Sequence, residues 1–539
     1  MLWLAALVVL SVFFWSRSRS FPRIARLDLA MPAALALLFS PLYLLAGYRW
    51  PVQVSSDEIG VMGGAERWAS LPNVDPFGLS DYFGFPALLF VSWGKLGNLL
   101  GGVDLAHMRF LHAAVGLVVI AASYALFRQL LPRGWAICAS LLLGFSHSFL
   151  MISRLAMREN TAVLMEVVAL ALLLWGLRHN HELATFAGGL VAGLGFYVYY
   201  PGRATFVLWI LFLIGLGLFF RRSFPVRRLV ALGIVGSTGF VLMAGPILIA
   251  ERNAPREETQ FQRGGLLIHK EGRELQKDWV FAPTVWDGYK KNVEWGLGTF
   301  NNNVVDHAWI YENHGHGFVD PLTGILLWLG VGVVGIRLFR RRAGPEALLL
   351  LVSFIVLWLS FAFVINKAPN YTRLLITLPF VVYLVTEAVR WLATRWRPVR
   401  YGPAAIVGTI VAAVVVWNLT IAWDFVQKGR EFGDPIGSTG RYVQSHRDIP
   451  GQHFYIAHGY FTFGSGAERL HPFARDKTQV ATDVDPGELS SFNATPPLAL
   501  FMGRAVWSTE GTSLAERFPR GRLRNVVPGG THVVFEVSR

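Results

Sequence analysis

Apolar residues fall along this chain in long blocks separated by short polar turns. Blocks of about 20 residues match the length of a membrane-crossing helix. They lie at roughly 31–48, 105–127, 134–152, 160–177, 184–201, 203–220, 229–250, 321–338, 345–365, 371–393 and 402–424. A further apolar run covers residues 1–15, followed by Ser16, Arg17, Ser18 and Arg19 with no small-residue cleavage site. It predicts a retained extra span or an interfacial helix.

Three stretches break the block pattern. In 49–104, residues 59–69 have an amphipathic spacing. Residues 85–100 are apolar but interrupted by Gly94, Lys95 and Gly97. Sixteen residues are marginal for a span, and counting one here would invert the sidedness of every later loop. The segment is expected to lie against the membrane surface. The loop 251–320 is rich in Gly, Asn, His and charge. The region 425–539 predicts a small soluble α/β layer, with a helix at 438–447 and strands at 453–457 and 498–502. A hairpin of 523–527 and 532–537 is expected around Pro528, Gly529 and Gly530. The expected architecture is mostly α: a polytopic membrane domain, 1–424, and a small soluble domain, 425–539.

Composition supports the membrane class. Of 539 residues, 53% are hydrophobic and 16% charged, against about 25% charged in ordinary soluble domains. The net charge of +14 would suggest nucleic acid, but its distribution argues otherwise. Arginines cluster at 17–26, 128–133, 178, 221–228, 337–342 and 390–400, in every second short loop. That is the positive-inside pattern, so the basic balance reports orientation and no nucleic-acid partner is expected. The same rule puts the loops 49–104 and 251–320, the turns near 153–160, 199–203 and 366–373, and everything after 425 on the opposite side. The expected setting is a plasma (inner) membrane with these parts facing the periplasm or exterior. The lone Cys138 sits in an apolar block, which excludes a disulfide framework or a cysteine metal site.

Asp57 and Glu58 lie just beyond the block 31–48. Adjacent carboxylates at a membrane face cost free energy unless something uses them. They are read as part of a reactive site, as a solvated loop acid, or as a helix N-cap ahead of Ile59. Several cations also sit at span ends on the same predicted side: Arg154, Arg158, Arg203, Lys367 and Arg373. They can bind phosphate, which arginine's planar fork engages through paired bonds. Their alternative role is to reach lipid head groups. Tyr199 and Tyr200 can stack on a sugar, line a lipid groove, or form an interfacial belt.

Five segments, taken in order, resemble the GT-C superfamily of polyprenyl-phosphate-sugar-dependent glycosyltransferases. Asp57-Glu58 occupies the acidic position of the first exterior loop. The segment 149–158 resembles the Ser-Arg element, and 193–203 the Gly-Leu-Gly-aromatic element. Residues 313–324 resemble the entry to a later span, and 368–379 the arginine-then-Leu-Pro element. The chain is most similar to the bacterial branch related to protein O-mannosyltransferases and lipid A aminoarabinose transferase, of the glycosyltransferase family 39 type. One departure stands out: many relatives carry Asp in a second acidic slot, and here it holds Glu159 beside Arg158.

The resemblance implies a GT-C fold and an inverting transfer of sugar from a polyprenyl-phosphate donor to an exterior hydroxyl on a lipid, glycan or protein. Asp57 takes the role of base, and Glu58 that of orienting the acceptor or tuning its neighbour. The leaving phosphate needs fixed cations. Arg203 is the leading candidate, then Arg373 and Lys367, then Arg154 and Arg158. Glu159, Tyr199 and Tyr200 would line the substrate. Arginines can serve a single phosphate, so no cofactor is required. A divalent metal on His314, His316 and Asp320 is the subsidiary reading. The rival class is a transporter or flippase of lipid-linked saccharides. It would favour matched repeats and mid-span charges, whereas these charges cluster at span ends.

Overall fold

The computed structural model describes residues 2–18, 24–47, 50–51, 54–80, 84–255, 263–301, 316–395, 402–428, 435–461, 470–474, 477–480, 484–489, 491–526 and 531–538. Each predicted apolar block forms a helix. Among the described residues, nine helices are long and apolar enough to cross a membrane. The pair Arg133–Phe145 and His147–Ser153, bent by 59°, would make a tenth. The span Tyr371–Arg395 is the centre of the bundle, with 94% of its apolar window buried, against 17% for Arg26–Leu44 and Gly402–Val426 at the periphery.

Two boundaries differ from the hydropathy reading. The first long helix is Arg26–Leu44, displaced toward the N-terminus from the predicted 31–48. It can start on polar residues because Asp28 is neutralised there: Arg133 Nε donates to it at 2.8 Å, Arg128 Nε at 3.1 Å and the Tyr124 hydroxyl at 2.8 Å. The block predicted at 184–201 is a shorter helix, Glu182–Leu194, followed by 3₁₀ turns at Gly195–Tyr197 and Tyr200–Arg203. These turns fold back on each other. A Cβ on Gly195 would lie 2.5 Å from the Gly202 carbonyl oxygen, so only glycine permits this approach.

Helix Leu2–Arg17 runs alongside Glu182–Leu194. Arg17 Nε bonds Glu182 at 2.7 Å, and the Phe14 and Phe186 rings are 4.9 Å apart. At its other end, Trp3 donates to the Leu242 carbonyl at 2.7 Å and its ring meets Phe77 of the first long loop. Contacts thus hold the helix at both of its ends.

The first long loop folds into helices Ser56–Ser70 and Ala87–Leu100. They cross at Gly94, where a Cβ would sit 2.1 Å from the Ala65 carbonyl oxygen. Lys95 then donates to the Ala69 carbonyl at 3.0 Å and closes the first helix. The second long loop contributes helices Lys270–Trp279 and Val285–Gly298.

The C-terminal region carries helix Ile436–His446 and four strands: β1 (His453–Ile456), β2 (Leu498–Gly503), β3 (Arg522–Asn525) and β4 (His532–Val537). The sheet order is β1-β2-β4-β3; β1 and β2 are parallel and the other pairs antiparallel. Side chains alternate along the strands. Phe454, Ile456, Phe501 and Val534 join Ile436 and Val443 in a core shared with Val54, Ile59 and Met62 of the first loop. Leu498, Leu500, Met502 and Phe535 face helix Arg504–Arg517, an element the hydropathy pattern missed. The expected turn at Pro528, Gly529 and Gly530 lies outside the described residues.

Candidate active site

Asp57 and Glu58 occupy the first turn of helix Ser56–Ser70, and one residue of register separates their fates. Ser55 is the N-cap. Its hydroxyl accepts from the Glu58 amide at 3.2 Å, while Glu58 Oε2 accepts from the Ser55 amide at 3.0 Å. This is a capping box, and it turns Glu58 inward. Glu58 is fully buried and pairs with the equally buried Arg109 through bonds of 2.8 and 3.0 Å. Its Oε1 also accepts from the Ala156 amide at 2.8 Å. Arg109 further donates to the carbonyls of Gly47 and Pro51. Glu58 is thus held by the scaffold, tying the first loop to the turn that carries Arg158 and Glu159. Asp57 takes no part in this frame. It is half-buried, and among the described residues no hydrogen bond or ion pair engages its carboxylate.

The candidate cations divide in the same manner. Arg154 is buried and donates to the carbonyls of Leu42, Tyr43, Leu45 and Trp50, closing the C-terminal end of helix Arg26–Leu44. Arg203 grips Glu251 with both terminal nitrogens, at 2.5 and 3.2 Å, and lies over the rings of Phe196 and Tyr200. Arg373 donates to the carbonyl and the side-chain oxygen of Asn366, at 3.0 and 2.9 Å. Lys367 places its ammonium 4.1 Å from the centre of the Trp279 ring. Burial, followed by the Arg373 charge, lowers its pKa to about 8, while Asp57 pulls it upward.

These electrostatic couplings map the convergence. Asp57 acts on both Lys367 and Glu159. Arg373 acts on Lys367, Tyr199 and Tyr200. Arg158 stacks over Phe85 at 4.2 Å and over Tyr199 at 5.2 Å. Phe85 in turn lies 4.8 Å from Tyr200. The Tyr199 hydroxyl meets Thr372 at 3.4 Å. Glu159 is buried, with one oxygen lacking a hydrogen-bond partner among the described residues; the Tyr200 hydroxyl also lacks one. The structure therefore gathers Asp57, Arg158, Glu159, Tyr199, Tyr200, Lys367 and Arg373 at one end of the bundle, with Arg203 beside Tyr200. Glu58 and Arg154 belong to the frame beneath. Arg109, Glu251, Phe85 and Trp279 were not singled out from the sequence. An arginine inside an apolar block was a visible signal for Arg109.

Of the residues considered for a metal, His314 lies outside the described residues. The His316 carbonyl accepts from the Tyr371 hydroxyl at 3.0 Å. Asp320 is buried, caps helix Pro321–Phe339 through the Thr323 amide, and accepts from Asn418 Nδ2 at 2.7 Å. Both of its oxygens are taken by structural bonds. Among the described residues, no group of three His, Cys, Asp or Glu is arranged to hold a metal.

The architecture is the GT-C fold, as the sequence resemblance implied. Residues 88–242 match the family model of dolichyl-phosphate-mannose-protein mannosyltransferases, a stretch that includes Arg154, Arg158, Glu159, Tyr199, Tyr200 and Arg203. Among solved structures, the chain is similar to ArnT from Cupriavidus metallidurans bound to undecaprenyl phosphate. The identity is 13%, over 95% of this chain and 98% of that one, with a TM-score of 0.56. It is also similar to the oligosaccharyltransferase AglB from Archaeoglobus fulgidus, in complex with an inhibitory peptide and a dolichol-phosphate. There the identity is 13%, over 94% of this chain and 74% of that one, with a TM-score of 0.54. No curated protein matches the chain.

Proposed function

We propose that this protein is a polyprenyl-phosphate-sugar-dependent glycosyltransferase working on the side of the membrane that holds the two long loops. Asp57 takes the proton from an acceptor hydroxyl on a lipid, glycan or protein. The acceptor oxygen forms its bond to the anomeric carbon as the bond from that carbon to the phosphate oxygen breaks. The electron pair leaves with the polyprenyl phosphate, and attack from the opposite side inverts the centre. Lys367 and Arg373 hold the departing phosphate, and Arg158 adds positive field from its seat on Phe85. Such fixed charges stabilise the transition state because they are in place before charge develops. Arg203 reaches a donor only by exchanging Glu251 for the phosphate. The same chemistry needs no metal.

One observation carries this reading: at the loop end of the bundle, a half-buried carboxylate with no described partner acts on Lys367, on which Arg373 acts as well. The relatives bound to undecaprenyl phosphate and dolichol-phosphate support a lipid-phosphate ligand for this fold. The candidate site charges lie at span ends, where a transferase meets its acceptor, whereas a flippase would favour charges at mid-span. By the sidedness of its arginine clusters, we place the protein in the inner membrane with the site outward. The test is sugar transfer from polyprenyl-phosphate donors by purified protein. Asp57→Asn is expected to lower turnover by roughly 10²–10⁴ while keeping affinity for the lipid phosphate. Near wild-type turnover would remove Asp57 from the mechanism.

A further inference from the structure

The segment 362–368 leaves the bundle at the end of helix Pro345–Phe363 and carries Lys367 into the site. Its backbone does not follow a regular turn. Lys367 has φ 59°, in the left-handed region that side-chain-bearing residues rarely adopt. Something must hold it there, and the fixings come from the two helices of the second long loop. Asn292, fully buried on helix Val285–Gly298, donates to the carbonyls of Ala362 and Ile365, both at 2.9 Å, and accepts from the Ala368 amide at 2.9 Å. Gln276, fully buried on helix Lys270–Trp279, accepts from the Lys367 amide at 2.6 Å. The strained peptide is therefore gripped on both sides of the Lys367 Cα. The same helix supplies Trp279, whose ring receives the ammonium.

Gln276 is the informative member of the pair. Its Nε2 has no hydrogen-bond partner among the described residues. A buried amide with an unmet donor is costly, and leucine would fill the site without that cost. Asn292 also satisfies carbonyls at a helix end, which is a structural duty in itself. Among the described residues, the Gln276 side chain makes one hydrogen bond, and that bond fixes the backbone of Lys367.

We propose that Gln276 is a positioning residue. It sacrifices local stability to hold Lys367 in its left-handed conformation, with the ammonium aimed at the phosphate of the donor. The claim about donor phosphate rests on the function proposed above; the claim about Lys367 geometry does not. Asp57 and Arg373 are the charged groups facing the ammonium, and Trp279 is the ring beneath it.

The experiment compares wild type with Gln276→Leu in lipid nanodiscs, by three readouts. The first is the melting temperature. The second is affinity for undecaprenyl phosphate. The third is the pH midpoint for trace acetylation of Lys367, read by mass spectrometry, which needs no activity. The variant is expected to melt at or above the wild-type temperature. It should bind undecaprenyl phosphate roughly tenfold more weakly. Its Lys367 midpoint should rise by about one pH unit as the ammonium swings toward water. A variant with wild-type affinity and a wild-type Lys367 midpoint overturns the proposal. So does a variant whose affinity loss merely tracks a lower melting temperature. If wild type fails to bind undecaprenyl phosphate while the midpoint still moves, the positioning role stands and the donor reading falls. Should the leucine variant not fold, Gln276→Met, equally long and lacking the acceptor, carries the same expectations.

Discussion

Glu58 and Arg109 are enclosed together, and further backbone partners occupy both. Asp57, its neighbour in sequence, is half-buried with no described partner. The adjacent carboxylates therefore fail differently when neutralised. Glu58→Gln leaves Arg109 buried without its counter-charge and is expected to destabilise the protein by about 3–5 kcal/mol. The loss would appear as a lower melting temperature with a proportional loss of active protein. Asp57→Asn should leave melting nearly unchanged. A Glu58→Gln protein as stable as wild type would contradict the structural role. Lys367 makes a prediction in pH. Its pKa is about 8 in the fold against an ordinary 10.5. Between those values the unfolded chain binds more protons, so this group's contribution to stability rises with pH across that window. Its attraction for phosphate moves the other way and fades as pH passes 8. Donor KM should climb between pH 7 and 9, and Lys367→Arg, charged throughout, should flatten the climb. The acidic pair and the cations at span ends were visible in the sequence; the Ser55–Glu58 capping box came to light only with the structure. Which charges were already committed was not visible beforehand either. Arg203 meets Glu251 across 48 residues, and Arg154 is consumed by three carbonyls at another helix's end and by that of Trp50 beyond it. Tertiary pairing of this kind leaves no local pattern.

Among elements, the first loop shows the most about how the site is mounted. Helices Ser56–Ser70 and Ala87–Leu100 appeared in the sequence as an amphipathic stretch and an interrupted apolar one. The interruption is the contact itself. Gly94 seats the Ala65 carbonyl, and Lys95 closes the partner helix. Gly94→Val would drive a side chain into backbone and wedge the pair apart. It is expected to cost both stability and turnover, since Asp57 rides on the first of these helices. Unchanged turnover in Gly94→Val would show that this crossing does not position Asp57. Helix lengths were less legible. Arg26 and Asp28 open a helix because distant arginines neutralise the acid, and Glu182–Leu194 stops short where two glycine turns must touch. Hydropathy reads neither partner. Helix Arg504–Arg517 was invisible for a related reason: it buries little beyond Gly511 and Leu514, so its apolar stripe is too narrow to register.

For the whole molecule, the arginine clusters in every second short loop predict the sidedness, and the structure assembles the candidate residues at the end that this alternation assigns to the long loops. The C-terminal region closes over that end. Arg441 of helix Ile436–His446 donates to the Pro51 carbonyl at 3.3 Å, beside the Glu58–Arg109 pair. Burial, then Arg109, lowers the Arg441 pKa to about 10. The soluble layer thus shares both a hydrophobic core and a charge network with the loop that bears Asp57. In the proposed reaction the lipid phosphate sits against Lys367 and Arg373 with Asp57 opposite. An electron cryo-microscopy map of the protein in nanodiscs with undecaprenyl phosphate tests it most directly. Phosphate density is expected within about 3 Å of the Lys367 ammonium and the Arg373 guanidinium, on the side facing Asp57. Phosphate bound instead at the arginine-rich face, or beyond reach of both cations, would contradict it.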